Sequence, residues 1–327
     1  MAAPDVLLVG LGSTHGLRAA EDELAGALRR AGAEVLLARA APQADVRTLM
    51  RTDLRWARAA RAAADAALAA HTPAGLVYVT TTAALLWPRP GAIRFDAPAA
   101  ANRRGRHGLW QRPLERRRLR QAPLLVPQDA GALAEAGAPR TPSVVVPIPV
   151  EPSGPAVPAA QRDVAAVTYA TNPYKKGLDR VLAAWAVARR PGEELVVAGL
   201  DRPPAEGVRY AGTLPPDRFR ALLRRARVFV TAPRREDYGI AQLEALADGC
   251  RVVTTPAPGP YAALPLLAGG LGWVATDGGL RAALRSALDD DEPGYADRAL
   301  TALAPFRRAA VDRVVAQELL PRLLAAR

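Results

Sequence analysis

The chain has 327 residues, 50% hydrophobic and 23% charged, with a net charge of +12, 26 glycines, 30 prolines and one cysteine. That length predicts about two domains with ordinary cores rather than low-complexity disorder, and a lone Cys250 excludes an intramolecular disulfide or a cysteine-based zinc site. No apolar run approaches the ~18 residues that would span a bilayer, and Val6–Gly12 lacks the basic flank of a signal peptide, so a cytoplasmic protein is expected.

Taken in chain order, Val6–Gly10 reads as a short apolar strand. Leu17–Arg30 follows as a helix with Leu17, Leu24 and Leu28 on one side. Glu34–Ala38 reads as a second strand and Asp53–Ala70 as an alanine-rich helix. Leu76–Thr80, Ile93–Phe95, Leu124–Val126 and Ser143–Ile148 read as further strands. The loop Gly10-Leu11-Gly12-Ser13-Thr14-His15-Gly16 approaches the dinucleotide pattern G-x-G-x-x-G without matching it. The second strand ends Leu36-Leu37-Ala38-Arg39, which disfavours NAD and leaves NADP open. Gly12 is expected to let this loop approach a ligand, a phosphate among the candidates. Arg103, Arg104, Arg106, Arg112, Arg116, Arg117, Arg118 and Arg120 crowd one segment together with Leu109 and Trp110. In an arginine-rich chain this is first a solvated loop and helix face. Its functional alternatives are peripheral contact with an anionic inner membrane face or, less favoured, with nucleic acid.

Seven prolines from Pro139 to Pro158 mark a linker. The alternation then restarts with Val164–Tyr169, helix Gly177–Ala188, Glu194–Ala198, Val208–Ala211, helix Pro216–Arg225 and Val228–Thr231. Helix Ile240–Asp248, strands Arg251–Thr254 and Trp273–Ala275, and helix Leu280–Leu288 follow. Tyr295–Ala326 is expected to be largely helical with a kink at Pro321. The pattern predicts two doubly wound, Rossmann-like parallel-sheet α/β domains, residues 1–150 and 151–305, facing a cleft. Residues 306–327 are expected to return to the first domain. Ligands of such sheets bind at strand carboxyl ends.

Two loops in the second half carry the chemistry. The first is Tyr169-Ala170-Thr171-Asn172-Pro173-Tyr174-Lys175-Lys176-Gly177. Arginine supplies 42 of the 44 basic residues, so two adjacent lysines call for a local reason, and a compact ammonium aimed at a phosphate is one. The second is Glu236-Asp237-Tyr238-Gly239-Ile240-Ala241-Gln242-Leu243-Glu244, between a strand and a helix. Gly239 permits close backbone approach, and the amides after it point out of the helix start with partial positive charge. At ~1.5 Å rise per residue, Glu236 and Glu244 bracket one ligand at the helix mouth. Either glutamate alone would merely complement the helix dipole, worth ~0.3–1 kcal/mol. The whole string suits hydroxyls flanking a phosphate, as in a sugar nucleotide. Asp289-Asp290-Asp291-Glu292 reads as a solvated helix end rather than a metal site, and Cys250 as packing.

Glu236 and Glu244, with seven residues between them, resemble the E-x7-E element of the retaining family 4 (group 1) glycosyltransferases of GT-B fold. Lys176-Gly177 resembles that family's phosphate-binding lysine. Gly212-Thr213-Leu214-Pro215 resembles its loop near the nucleotide base, and Val146-Pro147-Ile148-Pro149-Val150 the end of its first domain. The resemblance implies metal-independent, retaining transfer of a hexose from a UDP- or GDP-sugar to an acceptor, whether glycan, lipid or small molecule, with no permanently bound cofactor. It implies that Glu244 holds the ribose diol and that Lys176 neutralises the departing diphosphate. Glu236 and the backbone around Tyr238, Gly239, Ile240 and Ala241 would hold the donor sugar and phosphate, with Leu214 near the base. Two positions depart from the family pattern. No arginine stands in Tyr169–Tyr174, where Lys175 is the substitute, and Asp96 replaces a histidine after a mid-domain strand. Asp96 is expected either to assist at the reacting centre or simply to cap a turn before Pro98. Two rivals stand beside this reading: an NADP-linked oxidoreductase using Gly10–Gly16, and a non-enzymatic anionic-surface or nucleic-acid binder using Arg103–Arg120.

Overall fold

The computed structural model describes residues 4–44, 46, 48–103, 105–137, 140–276 and 278–325. The chain divides into two compact units, Met1–Ile148 with Arg308–Arg327, and Pro149–Arg307.

The first unit is built on five parallel strands, β1 Val6–Gly10, β2 Val35–Arg39, β3 Gly75–Tyr78, β4 Ala92–Phe95 and β5 Leu125–Pro127, in the order β2-β1-β3-β4-β5. A strand turns successive side chains to opposite faces. Val6 and Leu8 therefore enter one core with Leu24, Leu28 and Val77, while Leu7 and Val9 enter the other with Ala60, Tyr78, Ile93 and Phe95. Burial on both faces is what a helix-covered parallel sheet requires, and each fully buried Leu or Val contributes about 1.5–3 kcal/mol. Threonine side chains set two helix starts: Thr14 caps His15–Arg30 and Thr48 caps Leu49–Ala70. The second helix therefore begins four residues before the expected Asp53.

Two expectations are corrected, one in this unit and one in the segment that leads back to it. Ser143–Ile148 is not a strand. Val144 and Val146 donate to the carbonyls of Leu125 and Pro127, both at 2.9 Å, but only Ser143 bridges to β5. Pro142, Pro147 and Pro149 have no N–H to continue a ladder. The expected Tyr295–Ala326 helix is also interrupted. Tyr295–Ala302 ends in a short turn at Ala304–Phe306, and the helix resumes at Arg308 (Ala326 lies outside the described residues). A single wide π turn, Val315–Leu319, precedes Leu320–Ala325 and absorbs the hydrogen bond that Pro321 cannot donate. Val311, Val315, Leu319 and Leu323 line one side of this last stretch and join the core of Val6 and Leu8. Arg30 reaches both carboxylate oxygens of Asp312 at 2.8 Å.

The second unit holds six parallel strands, β6 Val164–Tyr169, β7 Leu195–Ala198, β8 Val208–Tyr210, β9 Ala226–Val230, β10 Arg251–Thr254 and β11 Gly272–Val274. Their order is β11-β10-β9-β6-β7-β8. Trp185, fully buried, anchors one face with Leu178, Val181 and Leu284, and its Nε1 donates to the Gly207 carbonyl at 2.8 Å. The chain leaves β6 toward β7 and β8 on one side, then returns to β9, β10 and β11 on the other. The order therefore reverses between β6 and β9, where a doubly wound sheet opens its ligand-binding crevice at the carboxyl ends. The loops at those two ends are the lysine loop and the glutamate loop.

Candidate functional site

The lysine loop folds on its own turn chemistry. Asn172 accepts the Lys175 N–H on its side chain and the Lys176 N–H on its carbonyl, both at 2.9 Å. Gly177 then takes φ +66° and starts helix Leu178–Ala188. A Cβ there would lie 1.8 Å from the Ala232 carbonyl oxygen, so only glycine lets this loop close on the chain leaving β9. Arg234 locks the approach from the other side. Its N–H donates to the Lys175 carbonyl at 2.8 Å, its guanidinium pairs with both oxygens of Asp179, and it stacks on Tyr174 at 4.3 Å.

The charges meet across these loops. Lys176 Nζ donates to Glu236 Oε2 at 2.7 Å, and Lys175 Nζ pairs with Asp237. Arg235 Nε reaches the other Asp237 oxygen at 2.7 Å. Burial opposes ionisation of Asp237, but Lys175 and Arg235 outweigh it and hold its carboxyl below the usual range.

Helix Ile240–Ala247 opens beside this cluster. Gly239 takes φ +85° at its start and no side chain caps it, which leaves its first amides for another partner. Glu244 lies one turn in. Burial pushes its carboxyl from 4.5 up to about 7, with Arg220 pulling down and Asp248 pushing up. Arg220 sits 3.8 Å from Glu244 and 2.7 Å from Asp248. It projects from helix Pro216–Arg225, which begins two residues after the half-buried Leu214. The structure thus joins Lys176 to Glu236 and Lys175 to Asp237. Tyr238, Gly239, Ile240 and Ala241 fall on the glutamate loop and the helix start after it.

Sequence reasoning missed four contributors: Arg220, Arg235, Gln242 and Tyr261. Gln242 Nε2 donates to Glu236 Oε2 at 3.3 Å and to the Tyr261 hydroxyl at 3.2 Å. Arg235 had a faint signal, a basic pair directly before Glu236. Gln242 stood inside the Glu236–Glu244 string without a role, and Arg220 and Tyr261 had no signal, because only the fold brings them to the site.

Residues 161–290 match the family model Glycosyl transferases group 1. They form a group 1 glycosyl transferase domain. The whole chain has the GT-B fold, shown by its similarity to solved structures. Sucrose-phosphate synthase from Thermosynechococcus elongatus superposes with a TM-score of 0.71 at 15% identity, over 98% of this chain and 99% of that one. Anabaena Alr3699/HepE, solved in complex with UDP and glucose, gives 0.68 at 15% identity over 96% and 98%. WaaG, a glycosyltransferase involved in lipopolysaccharide biosynthesis, gives 0.65 at 17% over 98% of each. No curated protein matches the chain in sequence. The family match and the fold together support glycosyltransferase function.

The transferase domain contains both motif loops, and the remaining expectations fall on the first unit. Gly12 is corrected. Its N–H and that of Leu11 both donate to Glu21 at 2.9 Å, and a Cβ on Gly10 would strike that carboxyl at 2.6 Å. A buried acid of the chain's own thus fills the cradle a phosphate would need. Arg39, the residue an NADP phosphate would want, pairs with Glu21 and Asp22 at 2.8 and 2.7 Å. Asp96, exposed directly after β4, accepts the N–H of Ala97 at 2.8 Å.

The arginine segment is not a uniform basic face. Arg103 pairs with buried Asp53, Arg112 donates to the Gly105 and Gly108 carbonyls, and Arg118 donates to Leu85 and stacks on Trp87. Arg106, Arg116, Arg117 and Arg120 remain exposed, as does Leu109 at 63% (Arg104 lies outside the described residues). No helix among the described residues is long and apolar enough to cross a membrane. Among the described residues no group of three or more histidine, cysteine or acidic side chains is placed to hold a metal ion.

Proposed function

We propose that this chain transfers a hexose from a nucleoside-diphosphate sugar to an acceptor hydroxyl, with retention at the anomeric carbon and without a bound metal ion. The observation that carries the reading is the Lys176–Glu236 pair, held at 2.7 Å beside an uncapped helix start at the strand-order reversal of the second sheet. In this reading the bond from the anomeric carbon to phosphate breaks, and the acceptor oxygen takes its place. Lys176 and the first amides of helix Ile240–Ala247 receive the charge growing on the diphosphate. Fixed donors of this kind are commonly the largest electrostatic contribution to a rate. Glu236 accepts hydroxyls of the sugar, Glu244 those of the ribose, and Lys175 supplies further positive charge. Leu214 lies on the loop expected near the base.

The test is a thermal-shift panel of UDP-, GDP-, ADP- and TDP-sugars without added metal. One of them, at about a hundred times its Kd, should stabilise the chain by about 2.7 kcal/mol, or several degrees in Tm. Stabilisation by none of the four defeats the proposal, and stabilisation by NADPH alone would favour the oxidoreductase.

Glu244 gives the reading a pH signature. Its folded value near 7 is raised above the ordinary 4.5, so stability from this group is full below about 4.5 and is lost as pH rises toward 7. Ribose hydroxyls donate to the ionised carboxylate, so donor binding runs the other way. Affinity should weaken as pH falls below 7, by up to about tenfold per unit. Calorimetric titration between pH 5.5 and 8 measures this, and Glu244→Gln should flatten the slope. A slope that persists in the variant removes Glu244 from the ribose.

A further inference from the structure

The chain after β10 folds back over the glutamate loop. Glu236 N–H donates to the Pro258 carbonyl at 3.1 Å, Tyr261 N–H to Asp237 at 3.3 Å, and Ala263 N–H to Tyr238 at 3.4 Å. Gly259 sits so close that a Cβ would lie 2.0 Å from the Glu236 carbonyl oxygen. At the end of this strap Tyr261 takes φ +47°, the sole positive φ of a non-glycine residue among the described ones. A bulky side chain there is strained, and such strain concentrates at working sites.

That backbone turn places the Tyr261 ring 1% exposed against Gly239, whose Cβ position is 3.0 Å from ring carbon Cε2. The hydroxyl lies 2.6 Å from Thr254 Oγ1, and Thr254 can pass its own proton to the Thr255 carbonyl at 3.3 Å. Tyr261 thus donates to Thr254 and accepts from Gln242, whose second amide hydrogen goes to Glu236. Every donor in this buried line has an acceptor, and the line terminates on the carboxylate that faces Lys176.

We infer that Tyr261, acting through Gln242, is a positioning residue that fixes the Glu236 carboxylate for the hydroxyls of the donor sugar. The sugar half of this inference rests on the donor site proposed above; the positioning half does not. Tyr261 does not touch the ligand. Its hydroxyl aims Gln242, and Gln242 holds the one Glu236 oxygen that Lys176 also binds. A glutamate at 242 would reverse the contact, setting two carboxylates against each other with no proton to share.

The experiment uses Tyr261→Phe, which keeps the ring and removes only the hydroxyl, and Gln242→Met, which keeps the volume and removes the amide. Lys175 and Lys176 are the only lysines. Reductive methylation with labelled formaldehyde therefore gives two lysine NMR signals beside that of the amino terminus. In both variants the Lys176 signal should shift and broaden while that of Lys175 stays. An unmoved Lys176 signal overturns the positioning role, whatever the ligand. Calorimetry then compares UDP with UDP-glucose, GDP with GDP-mannose and ADP with ADP-glucose, using the pair that binds the native chain. The variants should bind the bare diphosphate within about twofold and the sugar nucleotide about five- to thirtyfold more weakly. Equal loss for both ligands, or no loss where Glu236→Gln shows one, overturns the link to the sugar. A native chain that binds no member of any pair defeats the donor-site proposal, and the NMR result still decides the positioning.

Discussion

Lys176→Ala is expected to lower sugar transfer about a hundred- to a thousandfold while the chain stays folded. Two separate losses combine in that variant. In the ligand-free protein, Glu236 keeps Gln242 but loses its cation, and a 6% exposed carboxylate without a cation destabilises the fold. In the reaction, the leaving diphosphate loses the ammonium that meets its growing charge. The double variant Lys176→Ala/Glu236→Gln separates them. Removing both charges should return most of the stability, measured by urea unfolding, and none of the turnover. Lys176→Arg sharpens the point, because arginine is the default cation of this chain. A planar fork cannot occupy the place of a compact ammonium held 2.7 Å from one oxygen, so it should restore stability better than turnover. Turnover of Lys176→Ala within threefold of the native chain would show that this amine does not face the leaving group.

The sequence carried the parts of this site that depend on local pattern. Short apolar runs located all eleven strands to within two residues at either end, because strands buried on both faces leave no room for polar residues. Lys175 and Lys176 stood out against the arginine background, and the E-x7-E spacing located Glu236 and Glu244. What stayed hidden depends on long-range closure. Arg234 and Arg235 look equivalent in sequence, yet one spans to Asp179 and the other to Asp237. Gln242 and Tyr261 are 19 residues apart, and no periodicity connects a helical glutamine to a tyrosine in a proline-rich loop. Glu21 gave no sign of its role. As one acid on an amphipathic helix it reads as a solvated charge, but it turns inward to take two loop amides and empties the Gly10–Gly16 loop of its ligand role. Prolines decided the Ser143–Ile148 segment, whose valines look like a strand while its neighbours lack the donors to make one.

Gly177→Ala should destabilise the second unit by about 3 kcal/mol or more, and Gly192→Ala by only about 1–2. Both glycines have left-handed backbones, at φ +66° and +84°. A methyl group on Gly192 meets nothing within 4 Å, so its cost is the backbone conformation alone. On Gly177 the same methyl falls 1.8 Å from the Ala232 carbonyl oxygen, and neither side has freedom to give way. Ala232 lies two residues past β9, a central strand of the sheet, and Leu178 begins a helix whose Val181 and Trp185 are fully buried. The clash must therefore push the lysine loop off the glutamate loop, lengthening the Lys176–Glu236 contact. Urea unfolding of the two variants measures the difference in stability. If nucleotide binding falls in Gly177→Ala and not in Gly192→Ala, the glycine serves the site as well as the fold. Equal unfolding free energies for the two would mean that the close approach of these loops, on which the donor site depends, does not exist in solution.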